Sequence, residues 1–413
     1  MMSSRVKDLN RRRSQRSWLI VISTAILTIL VSLLIILTVV PILSPAAGAD
    51  MADMLRAVVG PAPVAVLESG SFQLQDKLNQ FRSQINGGLS QIVLSDRLQS
   101  QIEPTLAPST PPAGNDLNPP LSSSTQEIQN IPQAVINVVS DAPQIGWKAY
   151  GPDVNGYPVM ARALIKLDPQ RSYTAVALVR IDLSKLQLHI MPGSIEPAHP
   201  SGIAQAIPDL GMVPAVEQSQ LVAAFNGGFK QVHGYYGMMV DGITLLPPQD
   251  GLATVALFQD GRVQIGAWGS DLNSTPDLIA FRQNCPPLIE AGKVNPDLYL
   301  DNRRAWGYTN NSDITWRTGL GITQDGRYLI YAVGNGTSAA TLAEALQQAG
   351  AYMAMQLDIN QFYAHFYTYQ PADGPDTLQG FQLTGERLVD EMINNPHLYL
   401  SPYPRDFFYL TGH

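Results

Sequence analysis

Residues 317–358 read RTGLGITQDGRYLIYAVGNGTSAATLAEALQQAGAYMAMQLD. Two apolar runs, Thr318–Thr323 and Arg327–Val333, flank Asp325-Gly326, a dipeptide suited to a tight hairpin turn. Thr341-Leu-Ala-Glu344 has the spacing of a capping box, and Gly350 stops the helical run that follows. Tyr352–Asp358 returns as a strand. Strand 327–333, helix 341–349 and strand 352–358 predict one βαβ crossover, right-handed by the usual rule. Asp358 then stands at the carboxyl end of its strand, where open sheets bind ligands. Strand alternation predicts Gln356, Asp358 and Asn360 on one face.

Outward from this stretch the pattern is dense in strands. Tyr173–Ile181, Leu186–Met191 and Leu221–Phe225 read as strands, and Asp241-Gly242 and Asp260-Gly261 each lie between two apolar runs, as hairpin turns do. The expected fold is α+β: a strand-rich mixed sheet with a few packed helices, in a domain spanning 144–413. Residues 104–143 hold eight prolines among many Ser, Asn and Gln. Proline lacks the backbone donor that helices and central strands need, so this reads as an extended linker.

Residues 44–103 read as a helical juxtamembrane segment. Leu74, Leu78, Phe81, Ile85 and Ile92 form a weak heptad that Gly87-Gly88 breaks. It fits either a short amphipathic helix lying on the membrane or on the main domain, or a self-associating stalk. Before it, Trp18–Val40 is 23 residues without a charge. As a helix it is ~34 Å long, enough for a bilayer core of ~30 Å. A transmembrane anchor over 18–43 follows. Residues 1–17 form a basic tail, with six basic residues against Asp8, which the positive-inside rule places in the cytoplasm. A cleaved signal peptide is the rival reading, with Ala47-Gly48-Ala49 as its cleavage site. On either reading the bulk of the chain is exported.

The chain has 413 residues and a formal charge of −8. With +5 in the tail, the remainder carries −13. That balance excludes non-specific nucleic-acid binding, which needs a basic surface. One cysteine, Cys285, excludes an intramolecular disulfide framework. The histidines lack zinc-ligand spacing, and there is no P-loop, GxGxxG or GxSxG, so no cofactor and no metal are expected. The His233/Tyr235/Tyr236 and His365/Tyr367 clusters suit a sugar-stacking wall, but equally a core or rim.

Three segments can carry chemistry. Asn226-Gly227-Gly228 follows a strand directly, and paired glycines can present their amides to an anion. Arg317-Thr318 opens a strand, and an Arg at a sheet edge can grip phosphate or carboxylate through two nitrogens. Asp358, with Asn360 beyond it, closes another.

Taken in order, Asn226-Gly-Gly-Phe, Gly237-Met-Met-Val-Asp-Gly242, Arg317-Thr-Gly-Leu-Gly-Ile322, Thr341-Leu-Ala-Glu344 and Leu357-Asp358 resemble the phosphodiester glycosidase family, over roughly residues 170–370. The resemblance implies hydrolysis of the bond between an α-linked sugar and a phosphodiester. It matches Asn226, Gly227 and Gly228 to the family's Asn-Gly-Gly, Arg317 and Thr318 to its Arg-Thr, Thr341 and Glu344 to its Thr-Leu-x-Glu, and Asp358 to the Asp of its Leu-Asp-Gly-Gly-Gly-Ser. The glycines after that Asp are replaced here by Ile359, Asn360, Gln361 and Phe362. The implied roles are phosphate binding by Arg317 and the 226–228 amides, and acid/base or transition-state-stabilising work by Asp358 with Glu344 as second carboxylate. Thr318, Thr341 and Asn360 complete the expected substrate-binding set. The expected substrate is a sugar-phosphate or glycan in a bacterial envelope. The alternative is a catalytically degenerate relative that binds glycan or scaffolds an envelope complex.

Overall fold

The computed structural model describes residues 24, 28, 45–85, 94–95, 145–171, 173–199, 202–300, 305–307, 310–372 and 380–413. Of the predicted anchor, only Thr24 and Thr28 fall within that set, and the basic tail and the linker 104–143 lie outside it. Among the described residues no helix is long and apolar enough to cross a membrane.

The elements that position the candidate site are, in chain order, helices α1 (Pro45–Val59) and α2 (Pro61–Ile85), strands β1 (Leu221–Asn226), β2 (Leu278–Gln283), β3 (Thr315–Ile322) and β4 (Tyr328–Thr337), helix α3 (Ala339–Gln348), and strands β5 (Met353–Gln356), β6 (Phe366–Pro371) and β7 (Phe407–Gly412). β3 and β4 form the hairpin read from Asp325-Gly326, with Leu320 opposite Tyr331. α3 then crosses to β5, which pairs antiparallel with the other edge of β3. β4 and β5 therefore run in the same direction with β3 between them, and the βαβ unit spans one intervening strand.

That insertion corrects one expectation. The sheets are not mixed. Every registered ladder between described strands is antiparallel, and they form an eight-stranded sheet containing β3, β4 and β5, two five-stranded sheets and a two-stranded ribbon. The Asp241-Gly242 turn joins Met238–Val240 to Ile243–Leu246, with both turn residues at positive φ as a two-residue hairpin requires.

β4 shows why an apolar run without polar alternation belongs at the centre of a sheet. Leu329, Tyr331 and Val333 join one core cluster, while Ile330 and Ala332 join the cluster under α3. Both faces are buried, so both sets of side chains are apolar. α3 closes the second face with Leu342, Ala343, Ala345 and Leu346, each fully buried. Its N-cap is Ser338, whose hydroxyl accepts from the Thr341 amide at 3.1 Å. The predicted cap at Thr341 is thus displaced by three residues, because the chain offers two hydroxyl residues one helical turn apart and the helix starts at the first.

α1 and α2 pack on the same compact unit as the sheets. Asp76 on α2 accepts two hydrogen bonds from Arg171, at 2.8 and 2.7 Å, and one from Tyr173 at 2.8 Å. Ser69 donates to Asp313 at 2.5 Å. On α1, Asp53 meets Lys230 at 2.5 Å and His233 at 3.0 Å, and Arg56 pairs with Glu68. Burial works against the Asp53 charge, yet His233 and Lys230 hold its carboxyl well below the usual carboxylate range.

Leu346→Ala should leave a cavity between α3 and β3, where the leucine methyl lies close against Gly319. We expect a loss of about 2–5 kcal/mol, read as a lowered urea midpoint with an unchanged slope.

Candidate active site

β1 ends at Asn226, and the chain turns there through Gly227-Gly228 beside β7. All four hydrogen bonds of the Asn226 amide go to protein. Its oxygen accepts from the His365 amide at 3.1 Å and the Tyr331 hydroxyl at 3.0 Å. Its nitrogen donates to the Thr318 hydroxyl at 2.9 Å and the Gly227 carbonyl at 3.0 Å. Thr318 in turn donates through its hydroxyl to the Asp358 carbonyl at 2.6 Å. The Asp358 amide donates to the Gly227 carbonyl at 3.2 Å. The structure thus brings Asn226, Gly227, Thr318 and Asp358 together, as spokes around one point where β1, β3 and the end of β5 meet.

One of the glycine amides does face an anion, and it is the protein's own. Gly228 N–H donates to the Asp406 carboxylate and Gly227 N–H to the Asp406 carbonyl, each at 3.0 Å. A Cβ on Gly227 would run into that carboxylate, so close approach requires glycine there. Arg282 on β2 completes the arrangement, with Nε 2.8 Å from Asp406 Oδ2 and Nη2 3.2 Å from Oδ1. Both side chains are 2% exposed, so the pair is almost wholly removed from water. The remaining Arg282 donors go to the carbonyls of Phe229, Tyr236 and Gln283.

Asp358 stands next to this pair. Its Oδ2 accepts from Arg405 Nη2 at 2.8 Å, and its Oδ1 accepts from the Asn360 amide at 2.9 Å. Arg405 Nη2 also donates to the Gly228 carbonyl at 2.9 Å. Burial disfavours the guanidinium charge, but Asp358 and Asp406 outweigh it and raise the Arg405 pKa. The Tyr363 ring lies 4.4 Å from that guanidinium and 5.7 Å from Lys230 Nζ. Arg405, Asp406 and Arg282 lie outside the three segments whose sequence points to chemistry. The usable signal was a charged pair, Arg405-Asp406, leading into an apolar strand, and a lone Arg in the apolar run of β2, each of which needs a buried partner.

Arg317 takes a different place from the one its sequence suggests. It is fully buried, and its five N–H donors reach the carbonyls of Thr337, Trp306, Asn310 and Asp313 and the Gln356 side chain. Burial lowers its pKa to about 10, against the pull of Asp313. Gln356 faces Arg317 and Trp306, while Asp358 faces Arg405, so the expected single polar face does not form. The reason is that β5 ends at Gln356, and alternation ends with it.

The segment that replaces the family's glycines builds its own turns. Asn360 N–H binds the Asp358 side chain, and Phe362 N–H binds the Asn360 side chain at 2.8 Å. Two successive Asx turns result, in which side-chain oxygens do the work of turn carbonyls. Thr341 is engaged with Ser338 inside the helix cap. Glu344 lies on α3 and accepts from the Tyr299 hydroxyl at 2.7 Å, and no described interaction joins it to Asp358. The two predicted carboxylates are therefore not brought together by any contact. Asp406 is the carboxylate that shares the glycine turn with Asp358, and its charge acts on Arg405 beside that of Asp358.

Behind Asn226, His365 is buried among the rings of Tyr367, Tyr399 and Tyr403. Its two ring nitrogens, the Tyr399 and Tyr403 hydroxyls and Arg405 Nε have no hydrogen-bond partner among the described residues. Burial lowers the His365 pKa to about 3.

Two outcomes follow. Asp406→Asn should leave the Arg282 charge buried without its counterion and cost roughly 3–5 kcal/mol in chemical denaturation. His365 stays neutral in the fold, whereas the unfolded chain takes up its proton near the ordinary value of 6.5. Its contribution is therefore present above that pH and is lost as pH falls toward the folded value. His365→Phe should lose less stability than the wild type between neutral pH and about 4.5, measured by urea midpoints.

Residues 219–358 match the family model described as phosphodiester glycosidase. No curated protein matches the chain. Among solved structures, the catalytic domain of zebrafish N-acetylglucosamine-1-phosphodiester alpha-N-acetylglucosaminidase, auto-inhibited by its pro-peptide, is 16% identical with a TM-score of 0.40, covering 65% of this chain and 87% of that one. A hypothetical protein from Synechocystis is 10% identical with a TM-score of 0.33, covering 66% of this chain and 64% of that one. The family match runs from just before β1 to Asp358, over the same stretch in which the ordered motifs from Asn226 to Asp358 carry the resemblance.

Proposed function

We propose that the protein is an exported hydrolase that cleaves the sugar–phosphate bond of a sugar-1-phosphodiester, of the N-acetylglucosamine-1-phosphodiester type, in bacterial envelope glycans or related polymers. Residues 18–43 tether it to the membrane with the N-terminus in the cytoplasm and the main domain outside. The observation that carries the reading is the family match, which ends on the buried, oriented carboxylate of Asp358.

In this reading Asp358 is the catalytic carboxylate and stabilises positive charge that builds on the sugar as the bond to phosphate breaks. Arg405, with an uncommitted Nε, and Lys230 beyond the glycine turn supply the positive charge for the phosphate. Asn226, Thr318 and Arg317 act from behind, holding the backbone on which Asp358 sits. Glu344, Thr341 and Asn360 serve the helix and the turn.

One observation favours a second reading. The glycine amides already hold Asp406, and Tyr363 covers the face of Arg405. A site whose donors are satisfied internally suits a non-catalytic relative that binds glycan or scaffolds an envelope assembly.

The test is to incubate the purified full chain with UDP-N-acetylglucosamine and a panel of other sugar-1-phosphodiesters and to assay free sugar. Release by the wild type, lost in a folded Asp358→Asn variant, is the expected result. Undiminished release by Asp358→Asn removes the catalytic assignment. No release from any compound by a folded protein transfers the conclusion to glycan binding.

A further inference from the structure

α2 is buried on one face only. Ser69, Asp76 and Ser83 are 6–8% exposed and recur every seven residues, so they line one stripe against the domain. Leu74, Leu78, Phe81 and Ile85 are 49%, 42%, 62% and 68% exposed. At about 100° per residue, these four lie roughly 140–180° around the helix from Asp76, on the face that points away from the domain. Lys77 and Arg82, both exposed, flank the apolar stripe on its two sides. On α1, Met54 and Val58, one turn apart, are likewise exposed, at 65% and 82%.

An apolar helix stripe bordered by basic residues is the composition of a helix that lies in a membrane interface. Its long basic side chains can reach headgroups while their stems stay on apolar ground. The chain supplies the location. The uncharged run Trp18–Val40 ends only four residues before α1 begins at Pro45, and α2 follows α1 after Gly60. A domain tethered through so short a connection carries this stripe at the bilayer surface.

We propose that α2 lies between the domain and the membrane, with Leu74, Leu78, Phe81 and Ile85 inserted into the near leaflet of an anionic bilayer and Lys77 and Arg82 at its headgroups. The opposite face of the helix, through Asp76–Arg171 and Ser69–Asp313, transmits that attachment to the domain and sets its orientation. This rests on the membrane tether proposed above, and the experiment separates the two.

The full chain is reconstituted in vesicles of phosphatidylcholine and phosphatidylglycerol, with an environment-sensitive fluorophore on Phe81→Cys. Val216→Cys, from a residue 85% exposed, is the aqueous reference, and Cys285 is fully buried and stays in place. Flotation after a carbonate wash reads the tether. Quenching by acyl-chain spin labels against aqueous iodide reads α2. The expected result is floating protein whose label at 81 is quenched by the lipid probes and is several-fold less open to iodide than the label at 216. Replacing Leu74, Leu78 and Ile85 together by Gln should abolish the lipid quenching without affecting flotation. Equal iodide access at 81 and 216 in floating protein overturns the proposal and leaves the tether standing. Protection from iodide without lipid quenching, with cross-linking between copies through position 81, overturns it in favour of a second copy covering the stripe. Protein that does not float overturns the tether and this proposal together.

Discussion

The carboxylate of Asp406 sits on the Gly228 amide and the Arg282 guanidinium, and its backbone carbonyl receives Gly227. This junction joins the start of β7, the end of β1 and the last residues of β2 at Arg282, three segments far apart in sequence. Two ions removed from water are costly unless each remaining donor and acceptor finds a partner. Here they do. Arg282 spends its other nitrogens on carbonyls, and the Asp406 oxygens receive amide and guanidinium donors. The glycines are the sterical condition for this closeness. Asp358 depends on the result, since its amide binds Gly227 and its guanidinium partner Arg405 binds Gly228.

Much of the scaffold was legible from local chemistry. The Asp325-Gly326 hairpin, the helix before Gly350 and the returning strand each had a turn signal or a periodic run, and local signals suffice for local structure. The cap was misplaced by one turn because Ser338 and Thr341 are both competent caps and only the helix start chooses between them. A mixed sheet follows from a βαβ unit only where its two parallel strands are neighbours. The sequence does not say that β3 occupies the slot between the two parallel strands, because strand order is set by packing across the whole domain.

The site was legible by position more than by role. Asn226, Gly227, Thr318 and Asp358 do converge. Yet the polar atoms of Asn226 and Arg317 point inward, and nothing in the local sequence distinguishes a donor aimed at substrate from one aimed at a buried carbonyl. Glu344 shows the same limit. It sits at the right place in the motif, and its helix turns it toward Tyr299. Arg405 and Asp406 escaped because their partners lie some fifty to one hundred and eighty residues earlier, beyond the reach of any local pattern.

The paired Asx turns after Asp358 have a consequence for the chain as a polymer. A glycine run at that place would leave the unfolded chain with the largest conformational freedom to lose. Ile359, Asn360, Gln361 and Phe362 restrict it beforehand, each by about 0.5–1 kcal/mol relative to glycine where the backbone geometry allows. Ile359 and Phe362 also anchor in the two core clusters on either side. The loop that carries the buried carboxylate is therefore ordered by its own side chains, and its shape does not have to be assembled at the expense of a ligand's affinity.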